Sequence, residues 1–516
     1  MKKILYTLIA YSIFMTLLTS SVLPIAISDD SNRNTLNTQS IRDRSAHRTM
    51  FNALIHAGRT RKKMEKDKST GFTFSVTPLA AKCFSSDRLG AYFGVDDSNR
   101  ISLEYQGSST RPGTGIADVG LMIRDSTNGT STTGDSIPVQ DSATITLNPS
   151  SLMYGANFDV CLGLDRIAQG LSLRAGTAVA SATNSLGFNI IGGVKSANGP
   201  DSVSDFLTGN GSSAVQNVVA KAKMLNTTDS VIDLADIQAR IEYCFSDQKY
   251  NRFTAYLGGL IPTGSKSTSD ILFEPLVGTH NTRIEAGISV WGNVFKWGND
   301  RSIDLNLNGS VAYGFASTQT RVVDLRTQKW SRYHLTLEKG KPFATTDTAV
   351  VTSILHPFVP LANILSQEVK VKPRAIVDVL LNMTYTHQTF FLDISYHYLF
   401  KQKESNSLKN EWEDRRFYRL SSSAPWRIGT SSNISNRGFG PEDPTNTTFF
   451  TPVNLADLDL NHPMQAFSTI GICMGSVHRE SETPWGIGIG CSMTLVNNAQ
   501  TTPSSIDGFA SLGINF

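Results

Sequence analysis

The sequence predicts an all-β chain that closes into one antiparallel barrel of about twelve strands, bounded between about ten and fourteen. Two observations carry this prediction. From Gly71 onward, hydrophobicity alternates with period two in segment after segment. Successive strand side chains take opposite faces, so this period lays the apolar residues on one side. The joins between segments then alternate between short and long, which gathers every long loop at one end of the strands. A third observation narrows the class. The mean hydropathy of −0.15 and 18% charged residues exclude a bundle of membrane helices. They leave a barrel open, because its strands average apolar with polar.

The clearest strand is Thr389 to Lys401: Phe390, Leu392, Ile394, Tyr396, Tyr398 and Phe400 share one face, and Asp393, Ser395, His397 and Lys401 the other. Ile303 to Phe315 and Leu234 to Phe245 repeat the pattern. Strands are expected near 72–83, 152–165, 169–187, 232–246, 251–264, 282–297, 301–317, 374–386, 389–402, 464–478, 484–496 and 508–516. Short joins fall at Asp165–Gln169, Ser246–Tyr250, Lys296–Arg301, Thr386–Thr389 and Arg479–Pro484; long ones at about 84–151, 188–231, 265–281, 318–373, 403–463 and 497–507. A soluble sandwich has no reason to collect its long loops at one end. A transmembrane antiparallel β-barrel with long extracellular loops and short periplasmic turns does, and closure removes the backbone edges that lipid cannot satisfy.

Two further segments precede the barrel of residues 71–516. Residues 1–28 read as a signal peptide: Lys2 and Lys3, an apolar run from Ile4 to Leu18, and small residues at Ala26 and Ser28. The run is short for a spanning helix, and no later stretch reaches the roughly 18 apolar residues such a helix needs. Residues 29–70 hold ten Lys and Arg against five Asp and Glu. This basic periplasmic segment reads as a linker, a plug or a helix, the last over Ile41 to Lys68 with Met50, Leu54 and Ile55 on one side. The five cysteines form no dense framework, and Cys473 and Cys491 point to opposite faces.

The chain ends GFASLGINF, with Ala510, Leu512, Ile514 and Phe516 on one face. This resembles the C-terminal signal of bacterial outer-membrane β-barrel proteins, a porin- or channel-like class. Ile514 stands where that signal often has an aromatic. The resemblance implies recognition of Phe516 by the barrel-assembly machinery and a place in outer-membrane lipid.

Alternation projects Asp159, Asp165, Arg174, Asp236, Arg240, Glu242, Arg283, Glu285, Asp304, Arg374, Asp378, Asp393, His397 and Lys401 inward. Charge is tolerable there because the lumen holds water or because opposite signs pair. Gly486, Gly488 and Gly490 make one inner wall bare, leaving room for a ligand, a plug or an inward loop. One outer loop is unusually apolar, Ala349 to Leu365. Ile354, Leu355, Phe358 and Leu361 are its constriction candidates if it folds inward; it could instead lie on the membrane lip, line a site for an apolar solute, or pack locally on itself. Ser213 to Leu225 is a candidate loop helix.

Enzyme motifs are absent or broken. GLIPTGSKS, Gly259 to Ser267, resembles a phosphate loop but has Ser265 where the Lys belongs. Asp457, Asp459 and Asn461 suggest a calcium loop without its Gly and Glu. Asp393 and His397 lie about 13 Å apart along one strand. The expected function is passive passage of small solutes through a polar lumen narrowed by inward loops. The alternatives are a structural or surface-binding barrel and a membrane-embedded hydrolase. No cofactor, metal, catalytic residue or nucleic-acid partner is expected, and homo-oligomerisation stays open.

Overall fold

A computed structural model describes residues 71–83, 99–103, 143–191, 203–210, 219–226, 230–248, 250–298, 300–326, 331–333, 335–338, 359–420, 450–460, 465–479, 483–496 and 504–516. The expected signal peptide and the basic segment 29–70 lie outside these residues. Twelve long antiparallel strands form the barrel: β1 Phe72–Cys83, β2 Ser150–Gly163, β3 Leu171–Ser185, β4 Ile237–Gln248, β5 Asn251–Ile261, β6 Arg283–Trp297, β7 Arg301–Gly314, β8 Ala375–His387, β9 Phe390–Lys401, β10 Gln465–His478, β11 Trp485–Val496 and β12 Ser505–Asn515. Each pairs with its neighbours in sequence, and β1 pairs with both β2 and β12, which closes the ring. Phe516 and Phe72 exchange backbone hydrogen bonds at 2.7 and 3.3 Å, completing the seam at the end with the short turns.

The outer surface is apolar and exposed: Tyr154, Ile241, Leu257, Ile288, Val311, Ile472, Ile489 and Leu512 all face away from the lumen. A soluble barrel would bury this face; a lipid-embedded one presents it to hydrocarbon. Aromatic rings gather at the strand ends. Near the short turns Phe72 meets Phe516, Tyr243 meets Phe245, and Phe295 stacks on Trp297, while Tyr313 and Phe315 mark the long-loop end. Two bulges, at Cys244/Ser246 and Asn293/Phe295, turn the ends of β4 and β6 within this aromatic layer. Among the described residues no helix is long and apolar enough to cross a membrane. The crossing is made by strands.

Cys473 is buried inside and Cys491 exposed outside. The loops depart from expectation in three ways. The register of β7 breaks at Phe315, and the chain resumes as Ser317–Val322, paired with Ser366–Lys372 above the barrel. Residues 219–225 are not helical: Lys223 forms a parallel bridge to Ile271, and the local helix is Val203–Thr208. Finally, β12 starts at Ser505, which moves Asp507 from loop to wall.

Close approach decides one glycine. A Cβ on Gly475 would fall on the Ile487 carbonyl oxygen and 2.8 Å from the Phe391 ring. Backbone oxygen cannot move aside without breaking the β10–β11 ladder. Gly475→Val is therefore expected to destabilise by about 2–3 kcal/mol. The urea midpoint at which the unboiled protein loses its fast gel migration measures this; an unchanged midpoint contradicts the packing.

Candidate solute path through the barrel

The inward face of β2 to β6 carries a continuous run of paired charges. Arg174 and Asp159 approach to 3.8 Å across β2 and β3. On β4, Arg240 Nε lies 2.6 Å from Glu242 Oε1, and its guanidinium sits 4.5 Å from the Tyr256 ring centre on β5. The Tyr256 ring covers Gly287, where any side chain would strike it. Gln238 then donates to Glu285 on β6 at 2.8 Å. Opposite signs at these separations satisfy each other in a confined lumen and leave the path polar without one dominant sign.

Across the lumen, His397 Nε2 lies 3.0 Å from Asp378 Oδ1 on β8, and Thr384 Oγ1 donates to Asp393 at 2.7 Å. Asp393 and His397 thus find partners on the neighbouring strand, not in each other. Asp304 accepts from Asn293 at 2.6 Å. Asp507 accepts from the Ser492 hydroxyl. Arg283, at the outer end of β6, is half-buried. Lys401, at the end of β9, reaches toward the Phe467 ring, 5.5 Å away. Two residues stand apart from this wall. Arg374 is exposed, one residue before β8 begins. Asp165 caps a turn, accepting the Gly170 N–H at 2.8 Å.

Polarity is split along the axis on one side. From the short-turn end toward the long loops, β1 shows Thr73, Ser75 and Thr77, then Leu79, Ala81 and Cys83. On β3, Ser172 and Arg174 give way to Ala178, Ala180 and Ala182. Val277, from the β5–β6 connection, joins these alanines in one apolar cluster. The segment carrying it is fastened on every side. Asp236, fully buried, accepts the Thr279 N–H at 2.8 Å and its hydroxyl at 2.5 Å. Asn184 donates to the Phe273 and Glu274 carbonyls. Ser265 Oγ accepts the Val277 N–H at 2.8 Å. The inward loop is therefore 264–281.

The apolar segment Ala349 to Leu365 behaves differently. Leu361 and Leu365 are fully buried in a core built among the outer loops with Val323, Val369, Val453 and Leu458. Leu361 is thus removed from the constriction; the reason is a nearby apolar surface on loop 403–463. Ile354, Leu355 and Phe358 lie outside the described residues. The bare glycine wall of β11 is also filled: the Phe391 ring comes 3.3 Å from where a Gly488 Cβ would sit, and the Phe509 ring lies against Gly490.

The phosphate-like loop holds an anion of its own. Glu274 accepts from the Ser267 hydroxyl and from the backbone and hydroxyl of Thr268, at 2.7 to 3.1 Å. Asp457 is committed to capping, accepting the Asn454 N–H at 2.9 Å, and Asn461 lies outside the described residues. His280, just beyond the fastened Thr279, sits in the left-handed backbone region at φ 60°. Burial pushes its pKa down, against the opposing pull of Asp236. An imidazole with a lowered folded pKa contributes stability above its ordinary value near 6.5, lost as pH falls toward the folded value. Protection of the Val277 and Thr279 amides, measured against the intrinsic exchange rate at each pH, is expected to fall below about pH 6.5. His280→Gln should flatten that profile; an equal acid response in the variant rules the imidazole out.

No protein-family model matches the sequence, and no curated protein matches it. Solved structures with some likeness include an outer membrane channel from Pseudomonas putida F1, 8% identical with a TM-score of 0.35 over 86% of this chain and 96% of its own. The toluene transporter TbuX of Ralstonia pickettii is 9% identical with a TM-score of 0.26, over 87% of this chain and 89% of its own. The outer membrane protease OmpT of Escherichia coli is 7% identical with a TM-score of 0.20, over 87% and 96%. At such values the likenesses assign neither cargo nor reaction to this chain.

Proposed function

We propose that this chain is an outer-membrane channel, exported by its N-terminal signal and assembled from the strand ending at Phe516. Small solutes diffuse through a polar lumen that segment 264–281 narrows at its outer end. The observation that carries this reading is the β6–β8 side of the lumen. There Glu285, Ser289, Asn308, Ser310 and Asp378 face inward and keep partial solvent exposure. A polar wall that stays wet is what a diffusing solute needs. Paired charges of both signs favour uncharged or zwitterionic cargo over a single ion sign. The reading assigns no turnover.

Single-channel recording in a planar bilayer tests it. Discrete current steps from the refolded barrel are the expected result; a silent membrane after verified insertion sinks the proposal. A second reading, attachment to another cell or molecule, is favoured by the separate apolar core of the outer loops, which a plain pore does not require.

A further inference from the structure

We infer that residues 219–225, in the β3–β4 connection, form a strap by which the core of the outer loops holds segment 264–281 in position. The link stands on geometry; its control of flow rests on the channel reading. Toward 264–281, the Ala222 and Lys223 N–H groups donate to the Ser269 and Asp270 carbonyls at 2.8 and 2.9 Å, and the Leu272 N–H donates back to the Lys223 carbonyl at 2.9 Å. The Lys221 ammonium lies 2.5 Å from the Asp270 carboxylate. Toward the β7–β8 connection, Asn363 Oδ1 accepts the Ala220 and Lys221 N–H groups at 2.7 and 3.1 Å. The Tyr333 hydroxyl donates to the Ala222 carbonyl at 2.8 Å. Asn363 belongs to the short helix Leu361–Leu365, whose two leucines enter the loop core. The strap is thus bonded to the core on one side and to the inward segment on the other.

Its centre is strained, and that makes the link responsive. Ala222 has φ 54° and Ser269 φ 59°, both in the left-handed region that residues with a side chain disfavour. These two residues share the hydrogen bond that joins strap to segment. Such backbone persists only where its surroundings hold it. Ala222 is held from both sides, its N–H by Ser269 and its carbonyl by Tyr333. Without Tyr333 it can relax toward negative φ and swing its N–H off Ser269. Val219 and Met224, both at 0% exposure, pin the strap on either side and confine the relaxation to these contacts. The strap also spans the mouth. The β3–β4 and β7–β8 connections are rooted four strands apart in a ring of twelve. Connections rooted so far apart meet over the opening that 264–281 enters. By linkage, whatever tightens or loosens the loop core shifts the hold on 264–281 in the same direction.

Amide exchange of the refolded full chain, read by mass on peptides covering 264–281 and β9, tests the link without any current. Tyr333→Phe keeps the ring and loses the hydroxyl. It should lower protection across 264–281 about threefold to tenfold, the range of one buried hydrogen bond, and leave β9 unchanged. Leu365→Ala, or Leu365→Val if the first fails to fold, opens a cavity in the loop core itself and should lower the same protection. Unchanged protection in either variant overturns the inference. A loss shared equally by β9 reports general loosening and overturns it too. Glycine adopts the Ala222 conformation without steric cost. Ala222→Gly should therefore restore protection in the Tyr333→Phe background; a double variant as unprotected as the single one counts against the strained link and overturns the inference. In a planar bilayer, Tyr333→Phe should raise the frequency of current steps about threefold, in line with the lost hydrogen bond. No current from native chain or variant, with the protection change present, sinks the channel and leaves the strap standing.

Discussion

Leu257→Arg should lower the stability of the barrel in lipid by about 2–4 kcal/mol. Leu257 lies near the middle of β5 and is 66% exposed on the outward face. In water such a leucine would be a liability, and arginine would be harmless. In hydrocarbon the order reverses, because a guanidinium at the bilayer midplane must be dragged toward the headgroups or hydrated in place. Asn308→Arg is the internal control. It sits on β7 facing the lumen, half-buried among other polar groups, and should cost less than about 1 kcal/mol. Urea titration in vesicles, followed by gel migration of unboiled samples, compares the two. Equal costs at the two sites would falsify the assignment of outer and inner faces.

That assignment was readable before any coordinates because it needs only parity. On β7 and β9 the inward Asp304, Asp393 and His397 follow from counting by two from Ile303 or Phe390. Parity is local, and it says nothing about which residue stands opposite on the next strand. His397 and Asp378 meet because Leu380 pairs with His397 across β8 and β9, a register set by the short turn at Gln388. Arg240, Tyr256 and Glu285 likewise gather only once β4, β5 and β6 are aligned. Tyr256 was missed as a wall residue because an aromatic reads as lipid-facing unless a glycine opposite makes room for it. Asp507 was missed because its strand begins three residues earlier than hydrophobicity suggests. The inward loop was misplaced for a deeper reason. Apolar composition pointed to 349–365, yet what holds 264–281 against the inner wall is a set of polar bonds to Asp236 and Asn184, which leave no hydrophobic trace in the sequence.

Releasing segment 264–281 should open the outer end of the pore. Asp236→Ala removes the acceptor for both the Thr279 N–H and its hydroxyl. Two buried donors are then orphaned, at about 1–3 kcal/mol each. The remaining fastenings, from Asn184 and Ser265, hold the loop only partly, so the variant should show noisy, flickering current. Replacing residues 265–277 by a short Gly-Ser link removes the obstruction altogether and should give a steady conductance at least about twofold above the native level. Asp457→Ala supplies the contrast: it strips a cap from a different outer loop and should leave conductance unchanged. If all three variants conduct like the native chain, the narrow point lies elsewhere, and 264–281 is a brace for the barrel rim. The difference between brace and gate is then physical. A brace lowers the unfolding midpoint when cut and leaves current alone, whereas a gate changes current before it changes stability.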